Sequence, residues 1–208
     1  MEQAIQPTKA LPEGEITFEE FLAWGDEDTH AEWVQRKVIP KMPASVQHQE
    51  VNSFLHMLVG GWVNFHGSGR AFHPPLLVRL ILPNGDVVAR EPDLIVVLNE
   101  HLERLKEQYL EGAPDLVVEI VSPNQRARDR GEKFYEYEAA GVPEYWIIDP
   151  DRQHAEFAQL DEQGVYQVVF SGSKGVYHSK VLSGFWLQVE WLWQRPPLWE
   201  IFKAWGLM

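Results

Sequence analysis

The sequence predicts a mixed α/β (α+β) fold, and three observations carry that expectation. The runs Leu94-Ile95-Val96-Val97-Leu98 and Leu116-Val117-Val118-Glu119-Ile120-Val121 are short, apolar and β-branched, so they read as strands, the second buried on both faces. A helical stretch ending at Ala140 separates the second run from Glu144-Tyr145-Trp146-Ile147-Ile148-Asp149, which gives the order strand, helix, strand of a crossover unit, right-handed if the two strands are parallel. After residue 150 the pattern changes to short alternating strands with polar turns, which would extend the sheet or form an antiparallel layer at its edge. At 208 residues the chain can bury one core, and no polar linker divides it, so one domain over 1–208 is expected.

Residues 1–16 read as a flexible leader. Thr17-Phe18-Glu19-Glu20 forms a capping box for a short helix ending near Trp24. Residues 25–31 read as a loop and 32–42 as one irregular strand, with Pro40 at an edge or at its end. From Ser45, Val51, Phe54, Leu55, Leu58, Val59 and Trp62 recur at helical spacing, with the stop expected at Gly60-Gly61 or soon after. Pro83-Asn84-Gly85-Asp86 is a turn between strands 76–82 and 87–98, the latter interrupted near Pro92. Leu102, Leu105 and Tyr109 predict a helical surface connector over 99–112. A second capping box, Asp129-Arg130-Gly131-Glu132, starts the helix that Gly141 ends. Four strands are expected after 150, the last being Phe185-Trp186-Leu187-Gln188-Val189-Glu190-Trp191-Leu192-Trp193, and then a short amphipathic helix. The tryptophans of this terminus suit either a homodimer contact or docking on the chain's own core.

Composition narrows the chemistry. Hydrophobic residues at 45% and charged residues at 24% are globular proportions, and no apolar run approaches a bilayer span. The first residues lack a basic and apolar signal, so a cytoplasmic location without membrane association is expected. Zero cysteines exclude disulfides and thiolate metal sites, which leaves oxygen and imidazole ligands. A net charge of −13 opposes a broad grip on phosphate backbones, so any nucleic-acid contact must be local. Arg126, Arg128, Arg130 and Lys133 cluster, interleaved with Asp129 and Glu132.

Glu119 is the sharpest signal, because an ionised carboxylate inside an apolar strand must be protonated, paired or metal-bound. Asp115 shares its strand face but lies about 13 Å away along the strand, too far to share one ion. Asp93 follows Pro92 on the neighbouring strand and could complete the oxygen pair that magnesium or manganese prefers. Lys133, in the first turn of the next helix, could reach back toward Glu119, and reads equally as an exposed lysine paired with Asp129 at i, i+4. His48 lies near the edge of its helix's apolar stripe and could look into the molecule, although the plainer reading is a satisfied, partly buried histidine. An Asp, Glu and Lys set around a divalent ion suits phosphodiester hydrolysis.

Pro92-Asp93, the run from Pro114 through Glu119 to Pro123, the run from Asp129 through Lys133 to Tyr137, and the run from Gly141 to Pro150 together resemble the Uma-two family. That bacterial family, long known as a domain of unknown function, belongs to the PD-(D/E)xK restriction-endonuclease-like superfamily. The resemblance extends upstream through Glu32 and His48 and downstream through Ser183-Gly184-Phe185. It implies a mixed central sheet flanked by helices, with Asp93 and Glu119 as metal ligands, Lys133 as catalytic lysine, and Mg2+ or Mn2+ as cofactor. Glu32 and His48 are additional site candidates, Glu32 as a further ligand. Val121 stands where the superfamily's short pattern has lysine, so the lysine is expected on the helix at Lys133. The glycine that usually follows the early glutamate is absent around Arg36-Lys37. The resemblance thus implies a metal-dependent endonuclease acting on DNA. A non-catalytic binding module retaining the fold, which the acidic charge favours, and a hydrolase of another substrate are the alternatives.

Overall fold

The computed structural model describes residues 10–26, 28–121 and 131–208. In chain order its principal elements are α1 (Phe18–Trp24), β1 (Ala31–Val34), β2 (Lys37–Pro40), α2 (Val46–Leu55), α3 (Gly61–His66), β3 (Gly69–Phe72), β4 (Leu77–Ile81), β5 (Val87–Arg90) and β6 (Leu94–Leu98). Next come β7 (Tyr109–Glu111), β8 (Leu116–Ile120), α4 (Glu132–Ala139), β9 (Glu144–Asp149), β10 (His154–Leu160), β11 (Tyr166–Gly172), β12 (Val176–His178), β13 (Trp186–Gln188), α5 (Trp191–Gln194) and α6 (Leu198–Ala204).

Among the described residues the strands form a six-stranded sheet ordered β11-β10-β9-β8-β6-β3, a five-stranded sheet ordered β2-β1-β5-β4-β7, and the pair β12-β13. In the larger sheet β8 and β9 are parallel across α4, as the crossover reading expects, and the other pairings are antiparallel. This is the mixed sheet flanked by helices that the resemblance implies, lengthened by antiparallel strands β10 and β11. The five-stranded sheet is an addition, reached because the chain leaves it after β5 and joins the larger sheet at β6. Glu91, Pro92 and Asp93 make that passage, and proline suits it because a residue between two ladders has no strand amide to supply.

Alternation along the strands divides the core. Leu94, Val96, Leu116, Val118, Ile120, Trp146 and Ile148 face the α2 and α3 side, where Ile201 of α6 also packs. Ile95, Val97, Val117, Val121 and Ile147 face the opposite side, against Tyr137 of α4 and the inner face of the smaller sheet at Val34, Val78, Leu80 and Val88. The outer face of the smaller sheet packs Trp33 and Ala89 against Phe18 and Phe21 of α1.

Several expectations are corrected. The single strand over 32–42 is the hairpin β1-β2, turned by Gln35 and Arg36 at φ 49° and 63°, and neither residue carries the glycine or asparagine signal of such a turn. The helix runs past Gly60-Gly61 and stops soon after: a wider turn over His56–Gly60 joins α2 to α3, and the chain stays helical to His66 before Gly67 at φ 59°. These mid-helix glycines permit close packing, since a Cβ on Gly61 would stand 3.3 Å from the ring of Phe202 in α6. The connector over 99–112 is a single tight helical stretch, Asn99–Arg104, followed by β7, which pairs in parallel with β4. The last expected strand keeps only Trp186–Gln188, and Trp191–Gln194 is helical. The leader is anchored in its described part: Trp24 donates to Ala10 O, Trp33 to Ile16 O, and the Ile16 amide to Arg36 O. Trp205 packs on Trp62 and Phe185 and donates to Trp186 O, so this tryptophan docks on the chain's own core. The expected capping box at Asp129-Arg130 and the arginines Arg126, Arg128 and Arg130 lie outside the described residues.

Candidate active site

Antiparallel register pairs Leu94 with Val118, so Asp93 and Glu119 stand opposite one another one position further on. Both fall in the phase of Ile95, Val97, Val117 and Val121, the face that α4 covers. Residues opposite each other on one face of such a pair are close neighbours. Asp93 Oδ2 accepts the Ile120 amide at 2.7 Å, which ties this carboxylate to the strand of Glu119. Asp93, Glu119 and Lys133 line one pocket of about 510 Å3, with Lys41, His48 and Glu91.

On α4, Lys133, Glu136 and Tyr137 share the buried face at helical spacing, while Tyr135 is exposed. Lys133 Nζ lies 2.9 Å from Glu119 Oε1 and 3.1 Å from Glu32 Oε1. Tyr137 OH donates to Glu119 Oε1 at 2.9 Å. Behind this group Arg90, fully buried on β5, donates through Nε and Nη2 to both oxygens of Glu136 at 2.7 Å each and through Nη1 to Glu32 Oε2 at 2.8 Å.

On the α2 side, His48 Nε2 meets Asp93 Oδ2 at 3.2 Å. The extended segment after β2 supplies Lys41, whose Nζ donates to Glu91 O at 2.7 Å and lies 3.8 Å from both Glu91 Oε1 and Asp93 Oδ1. His30 Nδ1 meets Glu91 Oε1 at 2.8 Å.

Opposed causes set the protonation of this cluster. Burial pushes the Asp93 carboxyl up, but His48, Lys41 and the Ile120 amide outweigh it and hold Asp93 below its ordinary value. Burial likewise opposes ionisation of Glu32, yet Lys133 and Arg90 draw it down to about 2. His48 is raised, because its bond to Asp93 exceeds the burial that would lower it. Burial also works against the Lys41 ammonium, and Asp93 and Glu119 more than compensate, so it too is raised. Glu91 is raised by burial, which Lys41 and His30 only partly offset. Tyr137 is pushed well up by burial and the charge of Glu119, and stays a hydroxyl donor.

A family model named Uma2 and described as "Putative restriction endonuclease" matches residues 18–190. This chain belongs to the Uma2 family. Its fold is similar to a solved structure described as a putative nuclease belonging to DUF820 from Anabaena variabilis ATCC 29413, with a TM-score of 0.71, 23% identity, and coverage of 86% of this chain and 98% of that one. A comparison with curated proteins finds no match. No helix among the described residues is long and apolar enough to cross a membrane.

In this Uma2 chain, Asp93, Glu119 and Lys133 line one pocket, with His48 against Asp93 and Glu32 against Lys133. Asp115 stands apart, accepting the Leu98 amide and meeting His101 Nδ1 at 2.8 Å each. Sequence reasoning left Lys41, Arg90 and Tyr137 unassigned. The signal for Tyr137 is its place one turn beyond Lys133, and for Arg90 an arginine closing the otherwise apolar strand Val87–Arg90. Lys41 carries no such signal, being a single lysine between Pro40 and Met42 with no motif around it.

Restriction-endonuclease-like enzymes generally use divalent metals. Among the described residues no group of three or more His, Asp or Glu is arranged to hold one. The pocket nonetheless fits a hydrated ion. Asp93 and Glu119 offer hard oxygen donors from adjacent strands, and His48 Nδ1, Asn52 Oδ1 and Glu91 Oε2 are buried atoms of pocket-lining residues without a hydrogen-bond partner among the described residues. A cation that keeps several waters needs few protein ligands and several such outer partners.

Proposed function

We propose that this chain is a divalent-metal-dependent nuclease that hydrolyses DNA phosphodiester bonds, acting as one domain. In this reading Asp93 and Glu119 are the ligands of Mg2+ or Mn2+ and Lys133 is the catalytic lysine of a PD-(D/E)xK site. The observation that carries it is the placement of Asp93 opposite Glu119 on adjacent strands of one pocket, with the Lys133 ammonium 2.9 Å from Glu119. Membership in a family described in terms of restriction endonucleases supports it.

A divalent cation there supplies Lewis acidity toward a phosphate oxygen and activates a water molecule. The chain's own residues do the rest. His48 and the Ile120 amide fix the Asp93 carboxylate in its ionised, ligand-competent state. The Tyr137 hydroxyl fixes one oxygen of Glu119. Lys133 donates hydrogen bonds to the attacking water and the scissile phosphate, orienting the first and stabilising charge on the second. The water oxygen bonds to phosphorus, the bond to the leaving oxygen breaks, and a proton passes to that oxygen.

Cleavage of supercoiled, linear and branched DNA in Mg2+ or Mn2+ tests the reading. The wild-type protein is expected to cut at least one of them. Glu119→Gln should abolish cutting, and Lys133→Ala should reduce it by about 100-fold to 1,000-fold, the cost of a lost charge-stabilising donor. Equal cutting by wild type and Lys133→Ala removes the lysine from the mechanism. DNA binding without cutting by the wild type would instead favour the binding module that the charge of −13 suggests.

A further inference from the structure

We infer that Glu32 and Arg90 are positioning residues for Lys133, and that Glu32 holds the lysine rather than the metal; this rests on the nuclease reading above. Trp33 pairs with Ala89 across β1 and β5, so Glu32 and Arg90 stand opposite each other one position away. Trp33 and Ala89 pack toward α1, and alternation sends Glu32 and Arg90 to the other face, toward α4. There Arg90 grips Glu136 with a two-pronged fork and spends its third arm on Glu32 Oε2. Glu32 Oε1 in turn lies 3.1 Å from Lys133 Nζ. One carboxylate thus bridges two cations, and the helix, the two strands and the lysine are locked as a unit.

Two further observations separate this role from metal ligation. Glu32 is 2% exposed and is not among the residues lining the pocket that Asp93, Glu119 and Lys133 share. Turning either Glu32 oxygen to a metal would take it from Arg90 or from Lys133 and leave that buried donor one acceptor short, which is costly even though Glu136 and Glu119 remain as partners. A lysine side chain is long and rotamer-rich, so an ammonium that must meet a phosphate at a fixed angle gains from being held by Glu119 and Glu32 together.

The first test needs neither metal nor substrate. Side-chain 15N NMR of the metal-free protein should show a slowly exchanging Lys133 ammonium, assigned by its disappearance in Lys133→Arg, and Glu32→Ala should lose it. An unchanged signal in Glu32→Ala overturns the inference. The second test uses Glu32→Gln, which keeps the shape of the side chain but leaves one acceptor oxygen where Arg90 and Lys133 each had their own. Its kcat on DNA should fall about 10-fold to 100-fold while KM and calorimetric Mn2+ affinity stay within about twofold of wild type. Arg90→Lys, which cannot hold Glu136 and Glu32 at once, should shift kcat alone in the same direction. A loss of Mn2+ affinity in Glu32→Gln as large as in Glu119→Gln would make Glu32 a ligand and overturn the inference. If the wild type neither binds Mn2+ nor cuts DNA, the nuclease reading fails, and the ammonium signal still decides whether Glu32 orders Lys133.

Discussion

A carboxylate drawn down to about 2 from an ordinary value of 4.5, as Glu32 is, ties the stability of the fold to acid. Its contribution is complete above 4.5 and is lost as pH falls toward 2, because only the unfolded chain holds the proton in that window. Thermal unfolding of the wild type should therefore move to lower temperature as pH is taken from about 5 to about 2, and the decline should be shallower in Glu32→Gln. Parallel declines in the two proteins would mean that the Arg90 and Lys133 charges do not act on Glu32 as their distances imply. At this scale Glu119 was legible from sequence because a carboxylate within Leu116-Val117-Val118 and Ile120-Val121 must be protonated, paired or metal-bound. Lys41 was not, because what makes it a pocket residue is its bond to Glu91 O, and a backbone carbonyl leaves no mark in sequence.

Element by element, legibility tracks how local the determinant is. The capping box at Thr17 is present with both of its bonds, and the turn at Asn84-Gly85 closes β4 on β5, since these depend on residues within one turn. The hairpin at Gln35-Arg36 and strand β7 were missed because pairing with distant strands, not local propensity, makes them. The division of residues 87–98 into two strands was visible as a break at Pro92, but that each half joins a different sheet is a property of the whole topology. Glu144, at the start of β9, organises the segment around β12. Fully buried, it accepts from Trp146 Nε1, Tyr177 OH, Ser179 Oγ and the amides of Lys180 and Val181, at 2.7 to 3.0 Å. Glu144→Leu strands these donors and should cost about 3–5 kcal/mol in denaturant unfolding, while Glu144→Gln should cost less. Equal small losses in both would show that solvent readily replaces the carboxylate.

For the molecule as a whole, a charge of −13 and a nuclease reading are compatible only if the contact with DNA is local. The architecture provides a focus: two sheets meet at Glu91-Pro92-Asp93, α4 closes one side, and α2 brings His48 to the other. Mixed α/β class and the crossover were readable from the pattern of elements, and the flanking helices followed from the family resemblance, whereas the second sheet was not readable, because its strands pair out of sequence order. The claim on which the account turns is that Asp93 and Glu119 together hold a divalent ion. Calorimetric titration of the wild type, Asp93→Asn and Glu119→Gln with Mg2+ and Mn2+ tests it most directly. The account predicts a saturable site in the wild type that either substitution removes; no binding by the wild type, or binding indifferent to both substitutions, would contradict it.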